Sequence, residues 1–532
     1  MATFFRFLMS AVLKPNLLPV FLVGLSLSIG WGIRGNFGHE YGAMIPGALA
    51  GLAAVLLARR SDWYPRCAFF AFFGALGWSF GGSISYMQVI AYTHSGHSGS
   101  VLYGFACLFV IGFLWAAMGG AGTALPACLS RDSLTEFFTP LTVVFVGWIL
   151  QDIIVARWYT DSEYRQNSPL YWYDTDWVAA LVAIAAVLVL ALVRRRLDAP
   201  SRLILYMAIG WWAGFLLLVN LLGLRMTPPR GDNWAGCLGM VGGMWAYFLR
   251  HRLRGPVLAS IIAGLIGGFG FATGDALKLI GIASGWDTNW HSLLEQTYGF
   301  LNGLGIGIAL LWLARSAPKL SDEPRLRKWT ELYAVGFVLL VITYLNLRQD
   351  PAAWVKAKAM PPDLLGLSAG SWFNLSYLVL FVGFAGLAML HSQRPLALLT
   401  SNWLSRGQLL YLVFLWWVVV GNFERALVSF APQRLVTEGV IFFNAVLCTV
   451  GVLGIAREPE AEPTSPKLAG QNLLAKTAVI GMVFAGISVL ADWAVVRGIY
   501  GDTAAKYAGR HIRFGPDKTA TTEKPAAGRP HP

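Results

Sequence analysis

The sequence predicts an all-α integral membrane protein with about fifteen transmembrane helices, twelve of them arranged as two parallel six-helix repeats. Three observations predict this class: the composition, a succession of apolar runs of about 20 residues, and a similarity between two parts of the chain. Of the 532 residues, 56% are hydrophobic and only 13% are charged. Soluble domains contain about a quarter charged residues, so this composition excludes a water-exposed globule.

The apolar runs follow one another along the whole chain. They lie at roughly 17–34, 42–58, 67–92, 101–125, 138–156, 177–193, 203–223, 234–249, 256–283, 295–314, 330–347, 370–391, 408–423, 435–455 and 475–495. The long glycine-rich spans three and nine are candidates for broken or re-entrant helices. Residues 1–16 are predicted to be a cytoplasmic N-terminus, and the polar residues 499–532 a disordered tail.

The basic residues predict an orientation. The net charge of +13 comes largely from short clusters between apolar runs, such as Arg59-Arg60 and Arg194-Arg195-Arg196. With the N-terminus inside, about 23 Lys and Arg fall on the inner side and about 10 in the outer loops, which is the bias expected of cytoplasmic loops. The pattern predicts a bacterial inner-membrane protein with its N-terminus inside, and it argues against binding of nucleic acid.

Two parts of the chain resemble each other at a spacing of about 190 residues. GWGIRGNFGHEYGA after the first span matches LLGLRMTPPRGDNWAG after the seventh, and GALGWSFGGSISYMQ matches GLIGGFGFATGDALK. Six spans separate the copies, so both have the same orientation, and the predicted repeats cover 17–193 and 203–391. Three additional helices follow at 408–495. This layout is similar to that of the major facilitator superfamily and of the multidrug/lipid flippase superfamily, but RRSDWYPR lacks the facilitator signature, so no family is identified.

Charged and polar residues at the matched ends of spans one and seven form the first candidate site, because charges near lipid mark functional positions. They are Arg34, His39 and Glu40 in the first copy and Arg225, Arg230, Asp232 and Asn233 in the second. Arginine binds carboxylate or phosphate with two parallel hydrogen bonds, so two arginines related by the repeat would bind an anionic or polyhydroxylated ligand from both sides. The alternative is that Arg34 pairs with Glu40, and Arg225 or Arg230 with Asp232, to stiffen each loop.

Asp275 and Lys278 lie inside span nine and three residues apart, hence on one helix face. They are either a mutually neutralised pair or a proton-coupling carboxylate with its ammonium. Asp152, Glu295, Glu424 and Glu438 at predicted outer span ends could line the same outward cavity, although each by itself is more typical of a snorkelling side chain or a local ion pair. His94 and His97 lack the spacing of a zinc motif, so we predict no metal.

No phosphate-binding loop, dinucleotide fingerprint or nucleophile elbow occurs, so no cofactor is predicted and an ATP-driven motor is disfavoured. The leading hypothesis is a secondary transporter or flippase for an anionic, sugar-like or lipid-linked substrate, with its site on the outer side between the two halves. The alternatives are a membrane-embedded transferase acting on a lipid-linked substrate at the outer face, with His39, Glu40, Asp232 and Glu424 as candidate bases, and a non-catalytic membrane subunit.

Overall fold

The computed structural model is almost entirely helical. It describes residues 17–34, 40–81, 84, 86–158, 176–224, 226, 233–320, 327–348, 351–399, 402–428, 434–455 and 471–501. The helices of the first half are α1 (Leu17–Arg34), α2 (Glu40–Leu57), α3 (Cys67–Gly81), α4 (Met87–Thr93), α5 (Ser98–Cys128), α6 (Arg131–Thr135), α7 (Phe138–Trp158), α8 (Asp176–Arg194) and α9 (Ala199–Gly214), the last continued by a π-helix (Phe215–Leu221). A short 3₁₀ turn (Tyr64–Arg66) precedes α3.

The second half continues in the same way. Its helices are α10 (Asn233–Arg250), α11 (Arg254–Ala283), α12 (Trp290–Ser316), α13 (Trp329–Gly336), a π-helix (Phe337–Ile342), α14 (Thr343–Leu347), α15 (Pro351–Lys356), α16 (Ala369–Gln393), α17 (Trp403–Val428), α18 (Arg434–Gly454) and α19 (Gln471–Tyr500). The strands β1 (Asp363–Leu364) and β2 (Leu367–Ser368) form one small hairpin, with Asp363 opposite Ser368.

The described helices are those of a multi-pass membrane protein. Within the described residues, twelve helices are long and apolar enough to cross a membrane. The other three predicted spans correspond to α2, to α3 with α4, and to α10, which are helical but do not meet the same criteria. The count of fifteen therefore stays a prediction. Segments 1–16 and 502–532 lie outside the described residues.

Six helices form a closed ring at the centre of the molecule. Going round it, α1 packs along α2, α2 along α3, α3 along α5, α5 along α11, α11 along α12, and α12 again along α1. The long helices of the ring are among the most buried, as is α17 beside them, whereas the candidate span Ala369–Gln393 has no buried residue in its apolar window. The ring is therefore the core, and the exposed apolar side chains of the outer helices face lipid.

Glycines allow the ring helices to approach closely. A Cβ on Gly47 would lie 2.4 Å from the carbonyl oxygen of Gly74, and one on Gly119 would lie 2.3 Å from Cε2 of Trp78. Lipid provides no hydrophobic force between helices, so close van der Waals packing of this kind holds them together.

The remaining helices surround the ring. Helices α7, α8, α9 and α10 pack in succession on one side, α17 and α18 cover α2 and α1, and α19 lies against α11 and α5. Helix α19 is thus part of the wall around the ring, although it lies outside the predicted duplication.

One end of the ring is held by buried arginines; we call it the basic end (Arg60, Arg66 and Arg131). Arg60 donates hydrogen bonds to the carbonyls of Ala314 and Ala317 at the end of α12, and Arg66 to Pro126 and Leu129 at the end of α5. Cations at helix C-termini satisfy carbonyls that have no intrahelical partner. These basic residues therefore have a structural role.

Asp62 completes the basic end and lies outside the membrane-spanning helices. Burial alone would raise its pKa, but two hydrogen bonds from Arg60, one from the Leu320 amide, and the charge of Arg60 outweigh burial, so the pKa lies below the usual value. The loop after α2 is thereby fixed to the segment after α12.

The two predicted repeats contribute unequally to the ring. The first copy supplies α1, α2, α3 and α5, and the second supplies only α11 and α12. Helix α1 packs along α2 and α12, whereas its predicted counterpart α9 packs along α10 and α8. The duplication remains a prediction from the sequence, and the packing of the described helices is not symmetric about it.

Candidate functional site

A buried arginine lies inside the ring at the end of α1. The Arg34 guanidinium is 4.7 Å from the ring centre of Trp31, 5.3 Å from that of Trp115 and 5.9 Å from that of Tyr86. Its Nη1 is 3.3 Å from Oε1 of Glu295 on α12, and each of the two residues is no more than 3% exposed. The contacts with aromatic faces and with a carboxylate offset the free-energy cost of burying this cation.

Glu295 has further partners. The Tyr86 hydroxyl donates to its Oε1 at 3.0 Å, and Nε2 of His291, one turn earlier on α12, lies 3.8 Å from the same oxygen. The rings of Tyr86 and His291 are parallel to within 10°. One carboxylate thus joins α1, α12 and the segment that carries Tyr86.

That segment interrupts the third span. Helix α3 ends at Gly81, α4 begins at Met87, and Ile84 and Tyr86 between them are not helical. The local sequence GGSISY contains the two glycines that favour a break. Span three is therefore broken, as the sequence suggested, whereas span nine is the continuous helix α11.

The break lies at the level of the middle of α5. A Cβ on Gly81 would be 2.7 Å from Cα of Trp115, which fixes the end of α3 at that level of α5. At 1.5 Å per residue, Trp115 is about 26 Å from the start of α5 and about 20 Å from its end. Irregular backbone inside a membrane protein is tolerated only where protein or a polar cavity surrounds it, and Ile84 and Tyr86 are buried by the ring.

A second buried ion pair lies at the other end of α4. Nζ of Lys278 is 3.5 Å from Oδ1 of Asp275 on α11, and Asp275 is 0% exposed. The Thr93 hydroxyl, in the last residue of α4, contacts Oδ2 of Asp275 at 2.6 Å. The seven-residue helix α4 therefore connects the two pairs, through Tyr86 before it and Thr93 at its end.

A further carboxylate approaches from outside the ring. Asp492 on α19 is 8% exposed, and the Thr273 hydroxyl of α11 donates to its Oδ2 at 3.4 Å. Thr273 lies two residues before Asp275, so α19 brings a second acidic group to the same part of α11.

Aromatic rings fill the interior beside Arg34. Trp31 stacks on Trp115 with ring centres 5.2 Å apart, and Tyr298 is 4.8 Å from both Trp31 and Phe271. Trp78 lies 5.8 Å from Trp31. The site is therefore a charged pair set into an aromatic cluster.

The structure describes four of the nine sequence-predicted site residues. Arg34 pairs with Glu295, and Asp275 pairs with Lys278. Asn233 is buried at the start of α10, where its amide donates to Asp176 of α8. Arg34 and Asn233 thus have their described partners on different helices, α12 and α8, and do not meet there.

The other predicted residues lie outside the description. These are His39, the side chain of Glu40, Arg225, Arg230 and Asp232. The predicted clamp between two repeat-related arginines is therefore untested, and so is the alternative pairing of Arg34 with Glu40.

Sequence reasoning gave Glu295 a local role and missed Tyr86, Thr93 and Asp492. Tyr86 lies in the break of span three and Thr93 ends the short helix that follows it, so the glycine-rich motif GGSIS was a usable signal for this region. Asp492, a charge within an apolar run, was a visible signal of the same kind as Asp275. His97 caps α5 by accepting a hydrogen bond from the Ser100 amide, and no group of three His, Cys, Asp or Glu that could hold a metal occurs among the described residues.

The chain matches no family model, no curated protein and no solved structure with which it was compared. The helices and the site define the class: a multi-pass membrane protein with buried charges inside a helical ring.

Proposed function

We propose that this membrane protein is a secondary transporter for an anionic or sugar-like small molecule, with its central site inside the six-helix ring. One observation carries the proposal: the second half of a broken membrane helix touches two buried ion pairs, through Tyr86 at one end and Thr93 at the other. Discontinuous helices bind substrates and coupling ions in many transporters, near the middle of the bilayer. A displacement of α4 would change the hydrogen bonding of both pairs together.

The closed ring favours transport over a flippase or a lipid-processing enzyme. Each ring helix packs along both of its neighbours, and Arg34 is buried inside the ring and not on its lipid-facing side. A lipid-facing apolar groove of about 400 Å³ exists elsewhere and shares no residue with the site. It is lined by Leu340, Val341, Thr343, Tyr344, Leu345, Tyr377 and Trp417.

Asp275 is the proposed coupling carboxylate, with Lys278 as its counter-ion. The Thr93 hydroxyl lies 2.7 Å from the carbonyl of Ile90 and 2.6 Å from Asp275. A hydroxyl has one hydrogen and accepts others. It donates to a charged Asp275, or it donates to Ile90 and accepts from a protonated Asp275, so the same contact accommodates both protonation states.

The residues at the matched span ends remain part of the proposal as an outer binding region. They are Arg34, His39, Glu40, Arg225, Arg230, Asp232 and Asn233. Arg34 is the member that also belongs to the ring, so a substrate passing this region would reach the central site through it.

Uptake into proteoliposomes tests the proposal. Labelled phosphate, succinate, glucose and gluconate are offered with and without an imposed pH gradient. We expect uptake of at least one compound, accelerated by the gradient. Glu295→Gln, which leaves Arg34 without its carboxylate partner, should reduce the rate of uptake about tenfold or more. Asp275→Asn should remove the acceleration by the gradient.

Asp152→Asn is the matched control, because Asp152 is an exposed carboxylate on α7, outside the ring, and this variant should retain full uptake. The absence of uptake of all four compounds by folded, reconstituted protein would contradict the proposal. Uptake that is equally gradient-driven in Asp275→Asn would remove the coupling role alone.

A further inference from the structure

Five side chains inside the ring have polar atoms with no hydrogen-bond partner outside this group among the described residues. The indole N–H groups of Trp31, Trp78 and Trp115 have none, and the Tyr298 hydroxyl and the Asn302 amide interact only with each other. None of the five residues is more than 1% exposed. Buried polar groups in native proteins nearly always have a hydrogen-bond partner. Several such groups close together therefore indicate a site for a polar ligand.

The five groups are contiguous. Trp31 is in ring contact with Trp78, Trp115 and Tyr298, at centre distances of 5.8, 5.2 and 4.8 Å. Asn302 follows Tyr298 by one turn of α12, and a Cβ on Gly267 of α11 would lie 2.4 Å from its Oδ1. The five side chains therefore come from four helices of the ring, α1, α3, α5 and α12, and the Trp78 indole nitrogen lies against Gly119 of α5.

We infer that this region binds a neutral, hydroxyl-rich ligand of monosaccharide size. The inference rests on the proposed transport function and selects the sugar-like class of substrate within it. Three indole N–H groups and an amide N–H₂ donate to neutral oxygen atoms, and the Asn302 carbonyl accepts from a hydroxyl. Indole faces provide the apolar surface against which the C–H face of a sugar ring packs.

The charge beside the cluster argues against an anion. The Arg34 guanidinium is already engaged by Glu295. An anion bound beside Arg34 would also lie close to the Glu295 carboxylate, and the repulsion between the two negative charges is unfavourable at low dielectric, whereas a neutral ligand leaves the ion pair intact.

Binding requires a movement of the aromatic rings. Trp31 and Trp115 stack on each other with an interplanar angle of 19°, so a ligand that reaches both indole N–H groups must separate them. Ligand binding therefore requires Trp31 of α1 and Trp115 of α5, which meet across the interior of the ring, to move apart, and a transport cycle requires a conformational change of this kind.

Equilibrium binding to the purified full-length protein in detergent tests the inference. The probes are glucose, galactose and mannose, with gluconate and inorganic phosphate as anionic comparisons, measured by isothermal titration calorimetry and thermal unfolding. We expect saturable binding of at least one monosaccharide and none of the two anions. Trp31→Phe and Trp115→Phe, which keep a ring but remove the N–H, should each weaken the affinity about threefold to tenfold.

Trp212→Phe is the matched control. Its indole N–H also lacks a partner among the described residues, but it lies on α9, outside the ring, so its removal should leave sugar affinity unchanged. An equal loss of affinity in Trp212→Phe would overturn the assignment of the site to the ring.

The outcomes distinguish this inference from the proposed function. Binding and uptake of gluconate or phosphate instead of sugars would overturn the neutral ligand and leave transport intact. Sugar binding without uptake would support the site and overturn transport. Failure of all three monosaccharides to bind the folded protein would overturn the inference.

Discussion

The charge of Arg34 is stabilised by Trp31 on its own helix and by three partners that are far from it in the sequence, Tyr86, Trp115 and Glu295. Glu295, its carboxylate partner, is 261 residues away, and the aromatic rings of Trp31, Tyr86 and Trp115 come from three different segments. A buried ion pair contributes little net stability compared with apolar packing, but the loss of one partner is costly. Arg34 and Glu295 are therefore expected to be strongly coupled.

We predict that Arg34→Met and Glu295→Leu each destabilise the protein by about 3–5 kcal/mol, because each leaves one charge buried without its partner. The double substitution should cost less than the sum of the two, by roughly 0.5–3 kcal/mol. Reversible unfolding in detergent measures the free energies of unfolding of the unsubstituted protein, the two single variants and the double variant. Strict additivity would show that the two residues do not interact as described.

At the scale of the helices, glycine determines how closely the ring packs. Helix α3 contacts α5 through Gly77 and Gly81 on one side and Gly119 and Gly122 on the other. The same contacts place the end of α3 against the middle of α5. The position of the break, and with it Tyr86, thus depends on small residues that carry no chemistry themselves.

Gly119→Ala is predicted to destabilise the protein by about 1–3 kcal/mol, because the added methyl group would overlap the Trp78 ring, which is held between helices. Thermal unfolding in detergent measures the effect. Gly242→Ala is the matched control: a Cβ there has no atom within 4 Å, and alanine is the better helix former. Equal destabilisation by both substitutions would show that the α3–α5 contact is not the cause.

For the whole molecule, the ring has a basic end and an opposite end. Helix α11 runs between them, from a turn that contains His251 and Arg252 to a turn that contains Gly285. The distribution of Lys and Arg assigns the basic end to the cytoplasm. The orientation in the membrane is a prediction from the sequence that the packing of the helices does not test.

We predict that Gly285→Cys reacts with a membrane-impermeant maleimide in intact cells and that Arg252→Cys reacts only after the cells are opened. The two positions lie at opposite ends of one helix, so each is the control for the other. Four native cysteines, Cys67, Cys107, Cys237 and Cys448, are buried, and Cys128 is partly buried, which keeps background labelling low. The reverse pattern would invert the predicted topology.

The sequence by itself determined the class of protein and the position of its helices. The predicted spans coincide with helical parts of the described structure, span three with two separate helices, because a segment in lipid must satisfy its own backbone hydrogen bonds and its composition alone reveals it. The sequence also identified Arg34, Asp275 and Lys278 as candidate site residues, because placing a charge in an apolar run costs free energy wherever the run lies. The distribution of basic residues predicted the orientation by the same local reasoning.

Only the tertiary structure decided which of these charges meet. The pairing of Arg34 with Glu295, the contact of Thr93 with Asp275 and the approach of Asp492 all join segments that are distant in the chain. Such contacts depend on which helices are neighbours. In lipid, neighbouring helices are selected by the fit of small residues against aromatic side chains, as at Gly81 and Trp115. The sequence shows no periodic signal for these contacts. The site therefore arises from helix packing, whereas the membrane helices arise from composition.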